Sequence, residues 1–160
     1  MRVFKEEQAF RQWWLFLISG STLLASAIPF LNFTEGFQYN TGKFIAFILV
    51  ALIIIFFWIV RLRTKINSTG IYANFTPLKI FKKHYKWSEI EDCYVRKYSP
   101  ITEYGGWGIR GLGEAKAYNV SGDTGIQIIT KNHEKFLIGT KKPEQAKKII
   151  ERYKDKFKQK

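Results

Sequence analysis

A glycine-rich hexapeptide, two histidines, one cysteine and a run of lysines are the residues of this chain whose types and spacing could do chemistry. Gly106-Trp107-Gly108-Ile109-Arg110-Gly111 spells G-x-G-x-x-G. That pattern cradles a phosphate where its glycines end a buried strand and open a helix, because the first amides of the helix then meet the anion. Here Pro100 and polar residues precede the motif and a strand pattern comes after it. The expectation is therefore a loop over 105–113 whose glycines permit positive φ angles or a tight approach of the chain. Trp107 and Arg110 at its tip have two readings. They are a packed indole beside a solvated guanidinium, or an anchor for a headgroup or partner, since Trp and Arg dominate buried contacts.

His84 and His133 stand 49 positions apart with no Cys or carboxylate at ligand spacing, so no metal site is expected. Cys93 is the single cysteine, which excludes an intrachain disulfide. No serine sits in a nucleophile elbow and no carboxylate pair is poised for acid–base work. The chain reads as non-enzymatic and without a cofactor. Lys79, Lys82, Lys83 and Lys86 remain. They form either a solvated edge that discourages strand pairing, or part of a basic surface for anionic lipid, where each charge contributes about 1 kcal/mol.

The charge balance favours anionic partners. Of 26 Lys/Arg and 13 Asp/Glu, residues 61–160 hold 22 and 10, so nearly all of the net +13 lies in that part. Nucleic acid is not expected, because the aromatic residues follow core spacing rather than forming a stacking platform.

Two uncharged stretches must position this basic part. Residues 44–60 run seventeen positions without a charge and stop at Arg61, Arg63 and Lys65. Residues 12–34 run twenty-three, opening on Trp13-Trp14. Both lengths fall in the range that crosses a bilayer, about 17–25 residues. Trp13, Trp14 and Trp58, with Arg61, Arg63 and Lys65, have the chemistry of interfacial residues. The prediction is a two-helix transmembrane hairpin in the cell (inner) membrane, with 1–11 as a cytoplasmic leader and 35–43 as the outer loop. Positive residues flank the hairpin on both outer sides, which places both termini in the cytoplasm. Ala25-Ser26-Ala27 resembles a signal-peptidase site, but the apolar run continues to Phe33.

From residue 61 the pattern becomes short β-branched and aromatic segments separated by turns. Strands are predicted over 65–68, 71–75, 80–86, 92–98, 116–120, 126–130 and 135–138. Ser88-Glu89-Ile90-Glu91 has capping-box spacing and predicts one helical turn. After Pro143, residues Ala146, Ile149, Ile150, Tyr153 and Phe157 repeat at helical spacing and predict an amphipathic helix over 143–157.

Seven strands and then one helix is the order of a pleckstrin-homology (PH) domain. The chain resembles bacterial PH-like membrane proteins in Lys86-Trp87-Ser88-Glu89-Ile90-Glu91, in Gly125-Ile126-Gln127-Ile128-Ile129-Thr130, in Phe136 to Ala146 and in Tyr104 to Arg110. The resemblance implies an α+β membrane protein, with a PH-like seven-strand curled sheet or barrel over 61–160 capped by the C-terminal helix. It also implies a membrane-tethered binding or scaffold module. Phosphoinositide-binding PH domains carry basic residues around the first hairpin loop, whereas Asn67-Ser68-Thr69-Gly70 has none. The expected partners are therefore the bilayer and its anionic headgroups without fine specificity. A membrane-protein partner, with this chain as an accessory subunit of an enzyme or transporter complex, is the alternative.

Overall fold

A computed structural model describes residues 3–28, 37–78, 80–111 and 115–158. The chain divides into two compact units, Met1–Ala9 with Arg61–Lys160, and Phe10–Val60.

The first unit is α+β with two sheets. Strands β1 (Phe4–Ala9), β2 (Arg61–Ile66), β3 (Gly70–Thr76) and β4 (Lys82–Lys86) form an antiparallel meander in that order. Strands β5 (Ile90–Lys97), β6 (Gly108–Arg110), β7 (Ala115–Asn119), β8 (Thr124–Thr130) and β9 (Lys135–Gly139) form the second sheet in the order β5-β8-β9-β7-β6. Within it β7 and β9 run parallel and the other pairs antiparallel. The described strands thus number nine rather than the seven expected. The added ones are β1, inside the expected leader, and β6, inside the glycine-rich loop.

Alternation explains the first sheet. Leu62, Thr64 and Ile66 of β2, Ile71, Ala73 and Phe75 of β3, and Tyr85 of β4 point inward and are buried, and the residues alternating with them point out. The inward residues of β1 are Phe4, Glu6 and Gln8, all buried. A buried carboxylate must find donors, and Glu6 has two. Thr140 Oγ1 donates to Glu6 Oε2 at 2.5 Å and the Lys141 amide to Oε1 at 2.7 Å. Gln8 Nε2 donates to the Gly139 carbonyl at 2.7 Å. The N-terminal strand is therefore clasped to the chain between β9 and the C-terminal helices.

Those helices are α4 (Pro143–Arg152) and α5 (Lys154–Lys158), broken at Tyr153. Ala146, Ile149, Ile150, Tyr153 and Phe157 are buried, which is the stripe the sequence predicts. Trp87 lies against Tyr153 and Phe157, with ring centroids 5.3 and 5.6 Å away, and its Nε1 donates to the Asn67 carbonyl at 2.8 Å. The helical turn before β5 occupies Trp87–Glu89. It is closed by Lys86 N–H donating to Glu89 Oε2 at 3.0 Å, so Glu89 takes the role expected of Glu91.

In the second unit, α1 spans Trp13–Ala27 and α2 spans Phe37–Ile59. Residues 37–43, expected in a loop, are the first turns of α2; residues 29–36 lie outside the described residues. At 1.5 Å per residue α2 is about 35 Å long and α1 about 22 Å, against a hydrocarbon core of about 30 Å. Among the described residues one helix, over Gly42–Ile59, is long and apolar enough to cross a membrane. Phe16 of α1 meets Trp58 of α2 edge to face at 5.2 Å.

Two predictions concern stability of the full chain in detergent, read as the unfolding midpoint of its tryptophan fluorescence. Ile150→Ala should cost about 2–5 kcal/mol as a core truncation, while exposed Lys148→Ala should stay within about 0.5 kcal/mol of wild type. Glu6→Ala strands a buried hydroxyl and an amide that were bonded to a carboxylate, a loss of about 1.5–3 kcal/mol for such bonds. Lys5→Ala on the same strand should change little. Equal midpoints for the two β1 variants would refute the clasp.

Candidate anion-binding face

Register fixes which cations share a surface. Strand partners directly opposite one another point to the same side of a sheet. Rows along the outer side of the first sheet read Ala9–Arg61–Thr76, then Glu7–Arg63–Asn74–Lys82, then Lys5–Lys65–Tyr72–His84, and finally Gly70–Lys86. Successive rows are about 7 Å apart, two residues along a strand. Lys5, Arg61, Arg63, Lys65, Lys82 and Lys86 are all exposed, and Glu7 is the one carboxylate in these rows. The middle of the face is an open hollow of about 840 Å³ lined by Lys5, Glu7, Arg63, Lys65, Tyr72, Asn74 and Lys82.

Glu7 accepts from Arg61 Nη1 at 2.7 Å and from Arg63 Nε at 2.8 Å. The hydrogen bond from Arg61 leads in holding its carboxyl below the usual range, helped by the field of both guanidiniums. One carboxylate thus organises two arginines and leaves the face strongly positive. Tyr72 and His84 stack at 3.9 Å with near-parallel rings, and Lys65 Nζ sits 6.0 Å from the Tyr72 ring centre. Such a surface attracts anions by field and by charge-assisted hydrogen bonds.

The predicted site residues divide among different places. Lys82 and Lys86 lie on this face at opposite ends of β4, in the second and fourth rows. Lys83 points to the other side of β4, opposite Ala73, and is half-buried. Lys79 lies outside the described residues. The four lysines therefore do not form one patch. Arg61, Arg63 and Lys65, expected as interfacial residues, are residues of β2: Arg63 and Lys65 line the middle of the face and Arg61 stands in its first row. Trp13 and Trp58 are exposed on α1 and α2, and Trp14 is half-buried. Lys5 escapes a reading of the sequence, because its strand has the look of an irregular leader.

Trp107 and Arg110 belong to the second sheet. Trp107 Nε1 donates to the Gly122 carbonyl at 3.1 Å, and Arg110 Nε donates to the Trp107 carbonyl at 2.8 Å. The G-x-G-x-x-G stretch ends in the edge strand β6, with Gly106, Gly108 and Gly111 at positive φ. Gly108 N–H is taken by Asn119 Oδ1 at 2.8 Å. These glycines open no helix among the described residues, so the phosphate-loop geometry is absent there. Nearby, Arg96 holds Glu103 through two hydrogen bonds and Gln127 through a third, which fixes the short helix α3 (Pro100–Tyr104).

Among the described residues no group of three or more His, Cys, Asp and Glu is placed to hold a metal ion. Cys93 is buried, and that burial pushes its thiol pKa far up, so it is unsuited to nucleophilic chemistry. No protein-family model matches this chain, and no curated protein matches it either.

Proposed function

We propose that this chain is a membrane-anchored, non-enzymatic binding module whose basic sheet face engages anionic headgroups of the inner leaflet. In this reading α1 and α2 form a hairpin in the cell membrane and both termini are cytoplasmic. The observation that carries it is the outer face of the first sheet, six cations against one carboxylate, joined through Val60 alone to a helix long and apolar enough to cross a membrane. Val60 leaves Arg61 at most about 7 Å of chain from the helix end.

Strand pairing supports the hairpin. The chain leaves the first unit at Ala9 and returns at Arg61, and these two residues face each other in one ladder. If α2 crosses the bilayer, the chain between Ala9 and α2 must cross too, or the ladder could not close on one side. The PH-like assignment draws support from two sheets followed by a C-terminal helix. The parallel β7–β9 pair and the N-terminal β1 depart from the seven-strand pattern. An accessory-subunit role is the second reading, favoured by an apolar hollow of about 250 Å³ in the second unit that includes Phe16, Ile53, Phe57 and Trp58. A stoichiometric membrane protein copurifying in detergent would select it.

Topology can be read by impermeant thiol labelling in intact cells, against a native cysteine that is buried. Gln38→Cys should react and Lys158→Cys should not; the reverse pattern rejects the hairpin orientation. The face can be read by lysine-acetylation footprinting of the full chain in lipid nanodiscs. Lys5, Lys65 and Lys82 should be protected in anionic discs and not in zwitterionic ones, with Lys147 and Lys148 indifferent. Protection should vanish as salt rises from about 0.1 M to about 1 M, where the Debye length falls from about 10 to about 3 Å. Lys65→Glu with Lys82→Glu should remove the protection at Lys5. Equal reactivity in both lipids would reject the reading.

A further inference from the structure

Three chain connections gather at one end of the first sheet. β1 ends there at Ala9, β2 begins there at Arg61, and Thr76 of β3 pairs with the same Arg61. The turn after Thr76 therefore leaves from the end at which the chain departs for α1 and returns from α2. Neighbouring strands lie about 4.8 Å apart, so this turn springs from the strand next to the one tethered to α2.

The composition of that turn is unlike a solvated connection. Surface turns favour Gly, Pro, Asn, Asp and Ser; Pro77 fits that rule, yet Leu78, Ile80 and Phe81 make three of the five residues from Pro77 to Phe81 large and apolar, with Lys79 the one charge among them. Ile80 is 85% exposed, and Leu78 and Phe81 are half-buried. Phe81 N–H donates to the Leu78 carbonyl at 3.2 Å and Phe75 N–H to the Phe81 carbonyl at 3.4 Å, so the turn is closed and holds Ile80 outward. Exposed Arg61 and Lys82 stand at its base. One exposed isoleucine is ordinary on a protein surface. An apolar tip over a cationic base, at the tethered end of the sheet, has the chemistry of a membrane interface: aliphatic carbon for acyl chains and cations for phosphates.

We infer that the β3–β4 turn inserts Ile80 and Leu78 into the interfacial layer of the bilayer that holds α2, as a third attachment beside the two chain junctions. Arg61 and Lys82 meet the headgroup phosphates around it. Two junctions on adjacent strands leave the unit free to pivot about the line joining them. A third point fixes its tilt and thereby decides how much of the cationic face reaches the headgroups. The inference rests on the membrane reading proposed for α1 and α2, and lipid rather than a protein is the occupant it names.

The test uses the full chain in lipid nanodiscs, with an environment-sensitive fluorophore on single introduced cysteines and spin-labelled lipids as quenchers. Cys93 is buried and stays silent. The probe at Ile80→Cys should emit to the blue of one at Ser68→Cys, at the other end of the sheet. A shallow quencher should dim it several-fold more than the Ser68 probe. A probe at Leu52→Cys should be dimmed by a deep quencher, as the membrane reading requires. Quenching at 52 with equal, water-like behaviour at 80 and 68 overturns the insertion alone. No quenching at 52 overturns the membrane reading and the insertion with it. Ile80→Asp should abolish quenching of a probe at Leu78→Cys without affecting position 52; quenching at 78 that survives this change overturns the role given to Ile80. A position-80 probe shielded in native membranes but wet in pure lipid discs would mean a protein occupant and would overturn the assignment to lipid.

Discussion

The fold depends on one strand that precedes the helices in sequence yet pairs with the chain beyond them. β1 brings a carboxylate and a carboxamide to the inner side of a sheet, where neither is tolerable without partners. Glu6 finds its donors at Thr140 and Lys141, and the Gln8 amide nitrogen finds its acceptor at Gly139, where β9 gives way to α4. The bonds span more than 130 residues, so they tie the first strand to the junction that leads into α4. They also make Phe10–Val60 an insertion within a single unit rather than a stalk attached in front of one. In the membrane reading, sidedness comes from that closure, because the points of exit and return are neighbours in one ladder.

The parts of this fold written as hydrophobic periodicity were legible in the chain. Ala146, Ile149, Ile150, Tyr153 and Phe157 announce the C-terminal helices, and every one is buried. The seven strands with apolar alternation lie within a few residues of where the pattern puts them. β1 is hidden because two of its three inward positions are Glu6 and Gln8, and a period-two reading sees apolar residues, not acids that meet donors elsewhere. Nothing local in Phe4-Lys5-Glu6-Glu7-Gln8-Ala9 names Thr140 as a partner. β6 is hidden for another reason: glycines weaken strand propensity, and its pairing with β7 is a tertiary matter.

The basic face was partly legible for the same reasons. Alternation about the inward Tyr85 separates Lys82 and Lys86 from Lys83, so period two alone already tells that the lysines of β4 do not act together. Lys5 and Glu7 can be placed only once β1 is known to pair with β2. Without Glu7, Arg61 and Arg63 read as two independent juxtamembrane charges; with it they are a bridged pair whose carboxylate lowers local repulsion and leaves Lys5, Lys65 and Lys82 to set the field.

Distance then decides how such a face can work. Charges in water act over about a Debye length, near 8 Å at physiological ionic strength, and the rows of this face are about 7 Å apart. Were the sheet to stand upright on its tethered end, the first two rows, with Arg61, Arg63 and Lys82, would feel the headgroups. Lys5 and Lys65 would be mostly screened, and Lys86 wholly so. Exposed charges at that spacing contribute through proximity rather than number. The count of lysines and arginines is therefore a poor measure of attraction, and tilt is the variable that matters. A unit held at Ala9 and Arg61 alone has no fixed tilt. In the membrane reading, an apolar contact at the adjacent turn would supply a force that salt does not screen, and would give the electrostatic face a defined distance from the anionic headgroups.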